Sequence, residues 1–161
     1  MGNEKTTKIN QLIRKWSRGT VATASYLKRQ GFTYDLLTKY RRSGWIRSFG
    51  QGAYILPEDR VEWPGALYAV RSQLELDVHV GGKTALELKG YGHYVPEETK
   101  TLFLYAQPGM VLPAWFSGER FSLRLVVTRT SLFPVNNREG FSEWKEREFS
   151  IRISSPERAA M

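Results

Sequence analysis

Residues 31–56, with the sequence GFTYDLLTKYRRSGWIRSFGQGAYIL, constrain the fold of this chain more than any other segment. Thr33 is a residue type that caps helices well, and the run after it predicts a helix over residues 34–42, ended by the following Ser-Gly pair. Two strand-like runs then flank the connection 49–52, whose glycines permit the positive φ angles that a tight hairpin needs. The segment therefore predicts a short helix followed directly by a β-hairpin.

Two more helices are predicted upstream of this segment. Apolar residues spaced as on one helical face predict the first helix over residues 7–16. Thr23 can cap a second helix that runs to Gln30, with Gly31 as the residue that ends it. Two short helices joined across a glycine-containing turn are typical of a helix-turn-helix, and the hairpin after them adds a wing. In such a unit the second helix of the pair enters the DNA major groove.

The excess positive charge lies in the same part of the chain. Residues 1–60 contain 12 of the 24 Lys and Arg residues and 4 Asp or Glu residues, a net charge of 12 − 4 = +8. Residues 61–161 contain the other 12 cations and 12 acids, a net charge of zero. Because the basic segment coincides with the helix-turn-helix pattern, the charge distribution favours a nucleic-acid partner.

The predicted helix at 34–42 divides into an apolar face, expected to pack inward, and a polar face. Polar side chains opposite the apolar face can reach base edges, while flanking cations and the hairpin can meet phosphates or the minor groove. Asp35 either complements the helix dipole or accepts a hydrogen bond from a cytosine amino group. We assign Tyr34, Thr38 and Arg42 to bases, and Lys39, Arg41, Arg47 and Gln51 to the DNA backbone or minor groove.

The second half of the chain has a different pattern. Helices are predicted at residues 65–74 and 83–91. Strands are predicted at residues 101–107, 121–129 and 148–154, the last two with clear alternation of apolar and polar residues. Such alternation is typical of a mostly antiparallel sheet with helices on one side.

The predicted fold class is therefore α+β. A winged helix-turn-helix at residues 1–60 is followed, after a short linker, by a small α/β domain at residues 61–161. Residues 155–161 have the capping pattern of a helix that has barely begun, so we expect this chain to be the front part of a longer protein; a natural short end is the alternative. The chain contains no long apolar run and no signal-peptide pattern, which predicts a soluble cytoplasmic protein.

No catalytic, metal or cofactor site is predicted. The chain has no cysteine, and His79 and His93 alone cannot supply the three protein ligands that a catalytic zinc usually has. The string GGKT at residues 81–84 lacks the upstream glycine of a phosphate-binding loop, because Asp77 stands at that position. His93 and the tyrosines beside it either stack on single-stranded nucleic acid or pack in a core. We therefore expect a protein that is not an enzyme.

Three segments together resemble one protein family. They are DLLTKYRRSGWIRSFGQGAYIL at 35–56, VHVGGKTALELKGYGHYVP at 78–96 and ISSPERAA at 153–160. The sequence resembles the AbiEi-type antitoxins, transcriptional regulators of bacterial abortive-infection toxin–antitoxin systems of type IV. The middle string is the most specific, because winged helices are common and this glycine-, histidine- and tyrosine-rich string is not.

The resemblance implies a double-stranded DNA partner, with repression of the system's own promoter at repeated operator sequences. It also implies a functional partner, a nucleotidyltransferase-like toxin encoded by the neighbouring gene. Family members continue past the third segment into a further helical region. An alternative stays open, in which the chain is a protein-interaction module that binds or counteracts the toxin without specific DNA binding. The operator sequence and the oligomeric state do not follow from the sequence.

Overall fold

The structure, a computed structural model, describes residues 3–90, 100–132, 140–146 and 148–159. It is a mixed α+β structure, as the sequence predicts. The N-terminal elements are α1 (Asn3–Lys15), β1 (Ala22–Thr23), α2 (Ala24–Arg29), α3 (Tyr34–Arg42), β2 (Arg47–Gly50) and β3 (Ala53–Ile55). They are followed by α4 (Trp63–Ser72), β4 (Val78–Val80), α5 (Gly82–Leu88), β5 (Thr101–Ala106), a 3₁₀ turn (Glu119–Phe121), β6 (Arg124–Arg129), β7 (Phe141–Glu146), β8 (Phe149–Ser154) and α6 (Pro156–Ala159).

Local signals place the N-terminal helices close to their predicted positions. α3 has the predicted bounds, and the Thr33 hydroxyl caps it by accepting a hydrogen bond from the Leu36 N–H at 3.2 Å. Thr23 caps α2 in the same way, accepting from the Tyr26 N–H at 3.2 Å. α1 begins at Asn3, earlier than predicted. No helix within the ranges given above is long and apolar enough to cross a membrane.

The strands β1, β3 and β2 lie side by side in that order and form an antiparallel sheet. The predicted hairpin is confirmed, but its connection is shorter, because Phe49 and Gly50 belong to β2 and the turn consists of Gln51 and Gly52. The register shifts between Ser48 and Gly50, so Phe49 is an extra residue in the strand. Such a bulge redirects a side chain, and the Phe49 ring is buried.

A five-stranded sheet in the order β6-β5-β4-β8-β7 forms the centre of the second half. The pairs β4–β5 and β7–β8 are antiparallel, whereas β4–β8 and β5–β6 are parallel. The sheet is therefore mixed, and the prediction of a mostly antiparallel sheet is wrong on this point. Parallel neighbours need a long connection, and residues 107–123 provide one between β5 and β6.

Two strands of this sheet were not predicted, and a third begins later than predicted. β4 has only three residues, too few for an alternating pattern to be visible. β7, with the sequence FSEWKE, is polar at most positions. β6 begins at Arg124 and not at residue 121, because Ser122 has a φ of 53°, which an extended strand does not adopt.

Buried apolar side chains form two clusters. The smaller cluster lies among α1, α2 and α3 and includes Leu27 and Leu37. The larger cluster joins Phe49 and Ile55 of the hairpin to α4 and the five-stranded sheet. The predicted linker is also attached, because the Asp59 carboxylate accepts a hydrogen bond from the Gly19 N–H at 2.7 Å. The domain boundary at residue 60 stays a prediction, and a shared core crosses it.

Candidate nucleic-acid interface

α3 packs one face on the smaller cluster and turns the other face outward. Leu37 and Tyr40 are its buried residues, and the Tyr40 ring meets the Phe32 ring edge-on at 6.3 Å. The Lys8 ammonium donates to the Gly31 carbonyl at 2.8 Å and lies 5.0 Å from the centre of the Phe32 ring. These contacts stabilise the turn between α2 and α3. They therefore help to fix the orientation of α3 relative to α1 and α2.

The outward face of α3 carries the residues assigned to DNA. Tyr34 is 74% exposed, and Lys39, Arg41 and Arg42 are exposed along the same helix. Thr38 is half-buried, and its hydroxyl donates to the Tyr34 carbonyl at 3.0 Å. In this geometry the Thr38 oxygen can still accept a hydrogen bond, for example from a base amino group. The hydroxyl hydrogen cannot be donated to a base at the same time, because it is bonded to the Tyr34 carbonyl.

The β2–β3 hairpin lies next to α3. Its Arg47 and Gln51 side chains are exposed. Tyr54 on β3 is buried, and burial raises the pKa of its phenol; nearby Tyr34 raises that pKa further, while Arg41 lowers it. Leu37 and Tyr40 of α3 and Tyr54 of β3 belong to one buried cluster, so the helix and the hairpin pack on the same core.

We call the exposed parts of α3 and the hairpin the helix–hairpin surface. Within the described residues none of its four cations makes an ion pair, so their charge is available to an anion. Asp35 is exposed in the first turn of α3, where a carboxylate complements the helix dipole. Contacts with DNA stay a prediction for every residue of this surface: Tyr34, Thr38, Lys39, Arg41, Arg42, Arg47 and Gln51.

Two exposed side chains beside this surface were not predicted. Trp45 lies three residues after the end of α3 and is 44% exposed, and its backbone N–H donates to the Tyr40 carbonyl at 2.9 Å. An aromatic residue after a Ser-Gly helix end is a sequence signal that could have found it. The Arg120 guanidinium carbon lies 4.2 Å from the centre of the Phe49 ring on the hairpin. No sequence signal predicts the contact between Arg120 and Phe49, because the two residues are far apart in the chain.

His79 packs as a core residue. Its ring meets the Phe141 ring edge-on at 4.6 Å and lies 5.7 Å from the Tyr105 ring. Burial lowers the pKa of His79 to about 3, assisted by nearby arginine side chains, of which Arg158 has the largest effect. A neutral, enclosed imidazole fits the structural interpretation of this residue. His93 and the tyrosines beside it lie outside the described residues.

The GGKT string also has a structural explanation. A Cβ atom on Gly81 would lie 2.0 Å from the Tyr105 ring, so a larger residue does not fit there. Thr84 is buried, and its hydroxyl donates to the Thr101 carbonyl at 3.2 Å and accepts from the Phe103 N–H at 2.9 Å. In the part of the chain that the structure describes, no group of three His, Asp or Glu residues could hold a metal ion.

Comparison with solved structures concerns the fold. The chain is similar to the crystal structure of the RV2827C protein from Mycobacterium tuberculosis, with a TM-score of 0.51 and 16% sequence identity. The similarity covers 81% of this chain and 46% of that one, so this chain spans less than half the length of the mycobacterial protein. No match is found among curated proteins.

Comparison with protein-family models concerns the identity of the chain. Residues 5–97 match the family described as "Transcriptional regulator, AbiEi antitoxin N-terminal domain". Residues 99–161 match the family described as "Transcriptional regulator, AbiEi antitoxin, Type IV TA system". Since the two matches follow one another over almost the whole sequence, the chain belongs to the AbiEi family of antitoxin transcriptional regulators of type IV toxin–antitoxin systems.

Proposed function

We propose that this protein binds specific DNA sequences and represses the promoter of its own toxin–antitoxin system. The observation that carries the proposal is the helix–hairpin surface, on which four cations without an internal ion pair among the described residues surround an exposed polar helix face. Membership of a family of transcriptional regulators supports the same function. The protein would act without catalysis, in the bacterial cytoplasm where the promoter is.

The order of the N-terminal elements supports a winged helix-turn-helix. Three helices, α1 to α3, are interleaved with β1 and followed by the β2–β3 hairpin, and the three strands form one antiparallel sheet. In this assignment α3 is the recognition helix and the hairpin is the wing. The nine residues of α3 span about 13 Å at 1.5 Å per residue, a length that fits the major groove.

The proposed roles follow from position on this surface. Tyr34, Thr38 and Arg42 would approach base edges from the outward face of α3. The sugar–phosphate backbone or the minor groove would be contacted by the other four residues, Lys39, Arg41, Arg47 and Gln51. The structure adds one restriction, since the Thr38 hydroxyl hydrogen is already bonded to the Tyr34 carbonyl.

The biological setting of the proposal comes from the family. An autorepressor would recognise a repeated operator in its own promoter, and a nucleotidyltransferase-like toxin would be its functional partner. The second half of the chain is then the region available to counteract that toxin. This assignment predicts a toxin reading frame adjacent to the gene for this chain.

The test compares two neighbouring cations on α3. Arg42→Ala is expected to weaken binding to the promoter duplex by about 1–3 kcal/mol and to have little effect on a scrambled duplex, because the residue reads bases. Lys39→Ala is expected to weaken binding to both duplexes alike and to reduce the salt dependence by about one unit of slope. Fluorescence anisotropy at several salt concentrations measures both effects.

Lys89→Ala is the matched control, since Lys89 is an exposed cation after α5, outside the helix–hairpin surface. Equal losses on both duplexes with Arg42→Ala would contradict base reading by that residue. If the unaltered chain shows no preference for the promoter duplex but still captures the toxin, the interaction-module alternative is correct and the proposed function is wrong.

A further inference from the structure

We infer that Arg120, from the second half of the chain, extends the DNA-binding surface by contacting a backbone phosphate beside the wing. The inference rests on the proposed function and adds to it a residue from the segment that matches the second family model, residues 99–161. DNA binding would then require both halves of the chain, and not the winged helix-turn-helix alone.

The first observation is the position of the guanidinium at the hairpin. Its central carbon lies 4.2 Å from the centre of the Phe49 ring, within the range of a cation–π contact. One of its terminal nitrogens lies 3.5 Å from the place that a Cβ atom on Gly50 would occupy. Gly50 directly precedes the hairpin turn at Gln51, so the positive charge of Arg120 lies next to the tip of the proposed wing.

The second observation is that the hairpin packs closely against the chain segment that carries Arg120. The Phe49 ring meets Trp115 edge-on at 6.0 Å and lies 6.3 Å from Phe121, the residue after Arg120. A Cβ atom on Gly50 would lie only 2.7 Å from the Trp115 Cβ, so β2 and the connection between β5 and β6 approach each other closely. A duplex that touches the proposed wing would therefore lie near Arg120.

The third observation is the charge of the neighbouring cleft. Arg60, Lys100 and Arg120 line a cleft of about 320 Å³. Arg60 lies 3.8 Å from the carboxylate of Glu62, which also lines the cleft. Arg120 and Lys100 are exposed and make no ion pair within the described residues. Within the described ranges the cleft therefore has two cations without an ion pair, and one of them, Arg120, also contacts the hairpin.

The chemistry of arginine fits a phosphate at this position. A guanidinium has five N–H donors, so one that contacts an aromatic ring can still present N–H groups that match the geometry of phosphate oxygens. The contact with Phe49 also limits the motion of the Arg120 side chain before DNA binds. The duplex that occupies the helix–hairpin surface is the proposed source of the phosphate.

The experiment measures the affinity of full-chain variants for promoter and scrambled duplexes over a range of salt concentrations. Arg120→Ala and Arg120→Met are expected to weaken binding to both duplexes by the same factor, and to reduce the slope of log affinity against log salt by about 0.9. Arg120→Met retains side-chain packing over Phe49 without the charge, and Arg120→Lys is expected to keep the slope. Lys145→Ala is the control, because Lys145 is exposed on β7, the edge strand opposite β6.

An unchanged slope with Arg120→Met would overturn the inference, because a residue that only supports the hairpin leaves the number of phosphate contacts the same. Thermal melting of each variant separates this result from a loss of folding. The two proposals fail in different ways. If the unaltered chain does not prefer the promoter duplex, the proposed function is wrong; if it does and only Arg120 has no effect, the inference alone is wrong.

Discussion

His79 is a titratable side chain on β4 that is buried in the fold. Its pKa is about 3 in the fold, against an ordinary value of about 6.5. Between these values the unfolded chain binds a proton at this ring and the folded chain does not, so stability falls as the pH is lowered from about 6.5 towards about 3. Above about pH 6.5 the ring is neutral in both states and adds no pH dependence.

His79→Phe is expected to remove this part of the pH dependence. In the unaltered chain, each unit by which the pH falls between about pH 6 and about pH 4 lowers the free energy of unfolding by up to about 1.4 kcal/mol through His79. Urea denaturation of the unaltered chain and of His79→Phe over this pH range measures the difference between their free energies of unfolding. The titration of carboxylates cancels in this difference, because both proteins contain them. Parallel pH profiles would contradict the enclosed, neutral state of the ring.

The hairpin is the element whose packing differs most from what its sequence suggests. Gly50 and Gly52 look alike in the sequence, as two glycines that permit a turn. Gly50 has a φ of 134° and faces Trp115, whereas Gly52 has a φ of 76° and a Cβ atom at its position would meet no other atom within 4 Å. Gly50 is therefore required both by its positive φ and by the close approach of Trp115. Gly52 is required by its positive φ alone.

Substitution of the two glycines should separate these requirements. Gly52→Ala is expected to cost about 1 kcal/mol, because a residue with a side chain is strained in a left-handed conformation. Gly50→Ala is expected to cost about 1–3 kcal/mol more, because the added methyl group forces the hairpin away from Trp115. Denaturant unfolding measures both values, and equal costs would show that the contact with Trp115 is not maintained in solution.

The elements that the sequence predicts well are those with signals inside their own few residues. α3 is predicted to the residue because Thr33 caps it and a Ser-Gly pair ends it. β4 and β7 were not predicted, because a strand of three residues and a strand of mostly polar residues depend on their neighbours for stability. The parallel pairs of the sheet follow from chain connections that no local pattern reveals.

At the scale of the whole molecule, one buried side chain links the halves. The Gln73 amide at the end of α4 accepts from the Thr23 N–H at 2.7 Å and donates to the Val21 carbonyl at 3.0 Å. The Gln73 backbone carbonyl accepts from the Arg29 guanidinium at 2.6 Å. Since Thr23 caps α2 and Arg29 is its last residue, both ends of the helix before α3 are attached to Gln73.

We expect the full chain to unfold in one cooperative transition. The larger cluster contains hairpin and sheet residues together, so neither half can lose its structure without exposing the other. Far-UV circular dichroism and tryptophan fluorescence should therefore give the same denaturant midpoint. Two separate midpoints would show that residues 1–60 fold as an autonomous domain, as the boundary predicted at residue 60 implies.

The candidate site could be predicted from the sequence as far as it lies in one segment. All seven assigned residues come from positions 34–51, and local helix and hairpin signals are enough to group them. Arg120 could not be found in this way, because only tertiary packing brings it to Phe49. Its place beside the hairpin depends on the shared core, which contains residues from both sides of residue 60.

The burial of Phe49 has a consequence for how this regulator can evolve. Along one short strand, Arg47 faces solvent and can change without loss of packing, whereas Phe49 and Gly50 are enclosed by the second half of the chain. Related chains could therefore exchange the exposed positions of the hairpin, while the enclosed positions keep its orientation constant. Such exchanges would leave the core of the second half unchanged.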